Sequence, residues 1–143
     1  RGLRIQGFHR ALTEVGLTGQ ELAAPPNVTR LRQWSYDAAA ELLKGPLPDA
    51  IFAFSDVTAL KIMEAAELRG VRIPEDVSLL GYDNIAFASL PRIALTTVSQ
   101  HKYQQSRIAV DRLLDQISGS RTLTADLLEP ELVIRSTCTK HIT

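Results

Sequence analysis

Asp83 is the residue whose type and position most clearly suggest chemistry. It follows a short, nearly unbroken apolar run at residues 77–80 and the glycine at position 81. Such a run fits a strand that is buried on both faces of a parallel sheet, and small molecules bind just beyond the carboxyl ends of such strands. A carboxylate only accepts hydrogen bonds, so Asp83 could bind two ligand hydroxyls or pair with Arg4. The alternative is an Asx turn, which Asp-Asn favours.

Two further side chains could contribute to a binding site. Arg4 lies near the start of a predicted helix, where exposed N–H groups and the helix dipole create a positive potential. From residue type alone, a solvated surface arginine is the better interpretation. Trp34 is the only tryptophan, and its flat face could stack on the C–H face of a sugar or on a base, or could pack in the core. These residue types indicate non-covalent binding of a small polar molecule.

Motifs for catalysis and for metal binding are absent from the sequence. There is no G-x-x-x-x-G-K-[ST] loop, no G-x-G-x-x-G turn, no H-E-x-x-H pair and no nucleophile elbow. His9, His101 and His141 are far apart, and none has a cysteine or acid at metal-ligand spacing. We therefore expect no enzymatic activity, no cofactor and no metal ion.

Composition points to one ordinary globular domain. The 143 residues include 16 Lys plus Arg and 16 Asp plus Glu, without a basic cluster that could follow a phosphate backbone. We therefore expect no direct contact of these residues with nucleic acid. A single cysteine, Cys138, and the lack of a signal or transmembrane pattern favour a cytoplasmic location. Because the chain opens inside a helical pattern, we expect it to be a fragment of a longer protein.

The elements that would position these residues alternate between helices and strands. Apolar periodicity and Gly or Pro breaks predict helices at 3–15, 38–44, 56–69 and 102–118, and a short helix before residue 94. Strands are predicted at 50–54, 77–80, 94–98 and 127–135, with a short strand around 28–31 and Pro130 interrupting the last one. Asp56 is predicted to cap the third helix or to contact the ligand. This order predicts an α/β fold with a parallel sheet flanked by helices.

Two motifs carry a family resemblance. The stretch PEDVSLLGYDN at 74–84, followed by P-x-x-A-L-T-T-V-x-Q at 91–100, closely resembles the lactose-repressor (LacI/GalR) family of bacterial transcription regulators. It resembles more loosely the periplasmic sugar-binding proteins that share the same core. The resemblance implies a type I periplasmic-binding-protein-like effector-binding core, mainly its C-terminal lobe. Residues 1–100 would form that lobe without its first strand, and 101–143 would be the crossover helix and final strand returning between the lobes.

The same resemblance implies a set of ligand contacts. Arg4 begins the family's R-x-x-G-[FW] motif, whose arginine contacts the ligand, and Asp83 occupies the position of a ligand-binding aspartate. Gln100 would line the cleft, and Trp34, or Tyr36 in its place, would be the stacking aromatic, although about four residues are missing after Trp34. Ser55 stands where the family has asparagine. A hydroxyl replaces one hydrogen bond of an amide but not its paired donor and acceptor, which leaves the ligand's identity open.

The implied function is that of a sensor. The small-molecule effector would be a sugar or a sugar derivative, held between two lobes whose movement changes the spacing of DNA-binding heads. The resemblance implies a homodimer through helix 56–69 and the segment Leu90–Ile93, unless that apolar arc is only covered core. It implies operator DNA binding through an N-terminal head absent from this chain, and no membrane. The alternatives are a periplasmic sugar-binding transport receptor and, third, an α/β enzyme.

Overall fold

The structure, a computed structural model, describes residues 2–119 and 127–139. It is an α/β fold, as the sequence predicted. The elements follow one another in the order α1 (Gly2–Glu14), α2 (Leu31–Leu42), β1 (Ala50–Phe52), α3 (Asp56–Arg69), β2 (Ser78–Tyr82), a 3₁₀ helix (Ala86–Ser89), β3 (Thr96–Ser99), α4 (Lys102–Ile117) and β4 (Glu131–Val133).

The four strands form one sheet in the order β1-β2-β3-β4. β1, β2 and β3 are parallel, with Phe52 paired to Leu80 and Tyr82 paired to Val98. β4 returns antiparallel to β3. Because the first three strands run the same way, their C-terminal ends lie together at one end of the sheet, the carboxyl edge. The residues that follow Phe52, Tyr82 and Ser99 therefore meet at that edge.

The core lies on one face of this sheet. Leu79 of β2 is fully buried on this face, where α3 packs on β2 and α2 packs on α3. The opposite face, which Leu80 and Tyr82 share, is only half-buried. There, Phe8 of α1 contacts Phe52 with ring centroids 6.1 Å apart. The prediction that β2 is buried on both faces is therefore confirmed for one face, while the other face is only half-buried.

α2 differs most from its predicted form. The short strand expected around 28–31 is absent, and the helix already begins at Leu31 and ends at Leu42. No glycine or proline interrupts these residues, and Ser35 and Ala39, four residues apart, are both buried on one helical face. The helix consequently includes Trp34, which was expected just before it.

β4 is shorter than predicted. The expected strand at 127–135 is reduced to Glu131–Val133, directly after Pro130. Proline has no N–H to donate to a neighbouring strand, which explains why the pairing begins behind it. Ser136 N instead donates to Ala94 O at 2.8 Å, so beyond β4 the chain remains bonded to the segment just before β3.

The loop between α3 and β2 contains an ion pair that predicts a pH dependence of stability. The Arg72 guanidinium donates to both carboxylate oxygens of Asp76 at 2.5 and 2.9 Å, and Arg72 N donates to Oδ2 at 2.8 Å. These hydrogen bonds lower the pKa of Asp76 from 3.8 to about 2. Because the folded pKa lies below the unfolded one, the stabilisation is complete above pH 3.8 and is lost as the pH falls towards 2.

We therefore expect Asp76→Asn to lower the melting temperature at pH 6, with the difference shrinking between pH 4 and pH 2. Thermal unfolding at several pH values measures this difference. Glu75→Gln is the matched control, because it removes a charge from the same loop but none of these three hydrogen bonds. A deficit that persists unchanged at pH 2 would contradict the prediction.

Candidate functional site

Arg4 is held at the carboxyl edge of the sheet by two aromatic rings. α1 brings its guanidinium to 3.8 Å from the centroid of the Tyr82 ring and 4.5 Å from that of Phe54. Its NH1 group donates to Phe54 O at 2.7 Å. Stacking on ring faces and one hydrogen bond fix the orientation of the fork, and most of its five N–H groups stay available. Arg4 forms no ion pair with another described residue, so it can bind an acceptor-rich ligand group.

Asp83 follows Tyr82, and its side chain points towards the C-terminal end of β3. Gln100 Nε2 donates to its Oδ1 at 2.6 Å, and Lys102 Nζ is 3.9 Å from the same oxygen. No described residue donates to Oδ2, which can therefore accept a hydrogen bond from a ligand. The pairing of Asp83 with Arg4, one of the two options from the sequence, is not formed. Gln100 occupies that role because the neighbouring strands β2 and β3 end side by side.

The backbone around Asp83 is in an unusual conformation. Asp83 has φ 117°, Asn84 has φ 47°, and His101, just after Gln100, has φ 51°. Such left-handed conformations are unfavourable for non-glycine residues and persist where surrounding contacts impose them, often at functional sites. Asp83 N donates to Val98 O at 2.9 Å, which ties this loop to β3.

An open cleft of about 400 Å³ lies beside Asp83. It is formed by the loop after β2, the end of β3 and the first turn of α4. Lys102, which sequence reasoning did not identify, belongs to its lining. Its only signal in the sequence is its position two residues after Gln100. The lining comprises Asp83, Asn84, Ser99, His101, Lys102, Tyr103 and Gln104.

Ser55 lies at the same edge, but its hydroxyl is already engaged. It is the N-cap of α3 and accepts a hydrogen bond from Thr58 N at 3.2 Å, with Thr58 Oγ1 3.1 Å away. The prediction that Asp56 caps this helix is therefore wrong by one position. Asp56 is instead the first residue of the helix and is completely buried, which also removes it as a ligand contact.

Trp34, the predicted stacking residue, is not bonded to the other predicted ligand residues. It is half-buried within α2, and its ring makes no hydrogen bond or ring contact with Arg4, Ser55, Asp83 or Gln100 among the described residues. Tyr36, the other aromatic candidate, packs against the hydrophobic core. Two aromatic residues that were missed, Phe54 and Tyr82, instead contact Arg4. Aromatic residues at strand ends are usually core residues, so the sequence offered no specific signal for them.

Neither a metal site nor a membrane-spanning helix is found within residues 2–119 and 127–139. No group of three or more His, Cys, Asp or Glu side chains in these ranges could hold a metal ion. No helix there is long and apolar enough to cross a membrane. His141, considered with the other histidines, lies outside the described residues.

The sequence of this chain is similar to a known domain family and to a bacterial repressor. The family model of the periplasmic binding protein-like domain matches residues 1–138. The HTH-type transcriptional repressor CytR of Escherichia coli K12 is 33% identical over 138 residues, which cover 92% of this chain and 39% of the repressor. The chain thus spans well under half the length of this curated relative.

Two solved structures of similar chains give the same picture. A LacI-type transcription regulator from Bifidobacterium animalis aligns with a TM-score of 0.81 at 28% identity, covering 96% of this chain and 50% of that one. A LacI family transcriptional regulator from Enterococcus faecium, with bound ribose, aligns with a TM-score of 0.80 at 29% identity, covering 94% and 50%.

Proposed function

Because this chain belongs to the lactose-repressor family and carries its periplasmic binding protein-like effector domain, we propose that it senses a sugar or sugar derivative for a DNA-binding regulator. The observation that carries the proposal is the group of Arg4, Asp83 and Gln100 at the carboxyl edge of the parallel sheet. The ribose bound to a structural relative supports a sugar as the ligand class. The proposed task is reversible binding without chemical change of the ligand.

Each residue of the proposed site has a distinct task. Asp83 Oδ2 accepts a hydrogen bond from a ligand hydroxyl, while Gln100 holds the other oxygen. The unused N–H groups of Arg4 donate to ligand oxygens. Ser55 adds at most one hydrogen bond, since its hydroxyl oxygen also caps α3. Trp34 as the stacking residue remains a prediction, and it would require the ligand to extend towards α2.

The proposed response involves two lobes. In this proposal residues 1–100 belong to the C-terminal lobe, and 101–143 supply the crossover helix and the final strand returning between the lobes, with its described part, β4, paired to β3. Gln100 lies at this crossing, two residues before α4 begins. A ligand bound to Asp83 would therefore affect the connection between the lobes through the Asp83–Gln100 hydrogen bond. A ligand changes such an equilibrium only through different affinities for the two lobe arrangements. The proposed result is a changed spacing of DNA-binding heads.

The proposed partners are a second copy of the protein and operator DNA. Homodimer formation through α3 and Leu90–Ile93 is supported by apolar side chains left exposed there, including Leu68 at 71% and Leu90 at 46%. Operator binding would use an N-terminal head outside this chain, and the proposed location is the cytoplasm. A ligand that binds tightly but leaves operator binding unchanged would favour the transport-receptor alternative.

A ligand screen tests the proposal. We expect the melting temperature of the full-length protein to rise with at least one monosaccharide or sugar derivative, because a ligand that binds only the folded state stabilises it. The screen contains monosaccharides, sugar phosphates and nucleosides, and each hit is tested for an altered affinity for operator DNA. A shift with nucleosides alone would overturn the sugar class, and turnover of a hit would overturn the binding function.

A further inference from the structure

Asp56 is a completely buried carboxylate that the ligand site does not use directly. Its Oδ1 accepts a hydrogen bond from Thr97 Oγ1 at 2.5 Å, and its Oδ2 accepts one from Ile85 N at 2.8 Å. Thr97 is also fully buried, and its Oγ1 accepts a hydrogen bond from Asn84 N at 3.3 Å. One carboxylate thus connects the start of α3, the centre of β3 and the loop that follows Asp83.

The space around Asp56 is matched to this role. A Cβ atom at Gly81 would come within 2.2 Å of Asp56 Oδ1, so the glycine in β2 leaves room for the carboxylate behind the strand. The loop attached to it contains the unfavourable φ angles of Asp83 and Asn84. Hydrogen bonds to charged groups are among the strongest in proteins. They can therefore hold backbone conformations that are unfavourable for residues other than glycine.

Two ordinary roles of such an aspartate are already excluded. Ser55, not Asp56, caps α3, and a side chain without exposed surface cannot contact a ligand. What remains is the loop, whose two amides at Asn84 and Ile85 are bound directly or through Thr97. The residue immediately before them is Asp83.

We propose that Asp56, acting through Thr97, is a positioning residue that holds the loop 83–85 so that the Asp83 carboxylate faces Gln100 and the cleft. Its importance for ligand binding rests on the proposed function. The geometric claim itself requires no ligand, so it can be tested even if the sugar proposal fails.

The test observes the Asp83–Gln100 hydrogen bond directly. The full-length protein is labelled with ¹⁵N at glutamine side chains, and the Gln100 amide signal is assigned from its loss in Gln100→Glu. Asp83→Ala defines the signal position without the hydrogen bond. We expect Asp56→Asn to move the Gln100 signal most of the way to that position, because the asparagine Nδ2 group cannot accept a hydrogen bond, so either Thr97 Oγ1 or Ile85 N loses its acceptor.

Matched variants separate positioning from general loss of stability. Ile62→Val weakens the same α3 core without removing either hydrogen bond that holds the loop, and we expect it to leave the Gln100 signal unchanged. If Asp56→Asn does not fold, Thr97→Val removes the bridging hydroxyl, and Thr97→Ser restores it. A folded Asp56→Asn or Thr97→Val protein with a wild-type Gln100 signal would overturn the proposal, as would an equal displacement in Ile62→Val.

Discussion

Replacing Asp83 with alanine is expected to weaken effector binding by about tenfold to a hundredfold. A hydrogen bond to a charged group contributes about 1.5–3 kcal/mol, and about 1.4 kcal/mol corresponds to a tenfold change in affinity. Asp83 Oδ2 receives no donor from the described residues, so a ligand hydroxyl would supply it. The substitution also leaves Gln100 Nε2 without its acceptor at 2.6 Å. Binding of a hit from the ligand screen, measured by isothermal titration calorimetry, gives the affinity.

Asp111→Ala is the control for this measurement. Asp111 is also an aspartate near a cation, with Oδ2 4.0 Å from Arg107 Nε, but it lies on the exposed part of α4 away from the cleft. We expect its affinity for the same ligand to match that of the unchanged protein. Equal affinities of the Asp83→Ala and Asp111→Ala proteins would show that the site has been assigned to the wrong carboxylate.

Gly81→Ala is expected to lower the free energy of unfolding by about 1–3 kcal/mol, the usual cost of adding a carbon to a close-packed interior. The new Cβ would lie 2.2 Å from Asp56 Oδ1 and 2.9 Å from Leu95 Cδ2. The carboxylate cannot turn away freely, because Thr97 and Ile85 bind it from two directions. Urea denaturation of the full-length protein measures the loss. The same displacement of Asp56 should also weaken effector binding.

Gly45→Ala provides the comparison at an open position. Apart from its chain neighbours, no described residue has an atom within 4 Å of a Cβ built on Gly45, and its φ is not in the left-handed region. Surface substitutions of this kind usually change stability by no more than about 0.5 kcal/mol. The prediction fails if the two alanine variants unfold at the same urea concentration.

Local signals in the sequence predicted the elements well where those signals were strong. The predicted helix 56–69 matches α3 at both ends, since Ser55 can cap it and Gly70 can adopt the left-handed conformation that ends it at φ 69°. The start of α2 was missed because a strand around residue 28 and a helix from residue 31 compete over a few residues of mixed type. The burial of Ser35 and Ala39 against α3 favours the helix, and this packing is not visible in the sequence.

The position of Asp83 just beyond a parallel strand was predictable, but the contacts of its side chain were not. An apolar strand followed by Gly81 and Asp83 indicated a carboxylate at the carboxyl edge of the sheet. The family resemblance added Arg4, Ser55 and Gln100 as expected ligand contacts. The sequence did not indicate that Tyr82 and Phe54 enclose the Arg4 guanidinium. Nor did it indicate that Asp83 forms its ion pair with Lys102 and not with Arg4.

The sequence by itself therefore determined the α/β class, the ends of α3 and the edge at which Asp83 lies, because apolar periodicity and helix caps act over a few neighbouring residues. The tertiary structure alone decided which groups bind each other. Gln100 reaches Asp83 across 17 positions of the chain, and Thr97 reaches Asp56 across 41. These partners depend on which strands become neighbours and in which register, and that is set when the core packs.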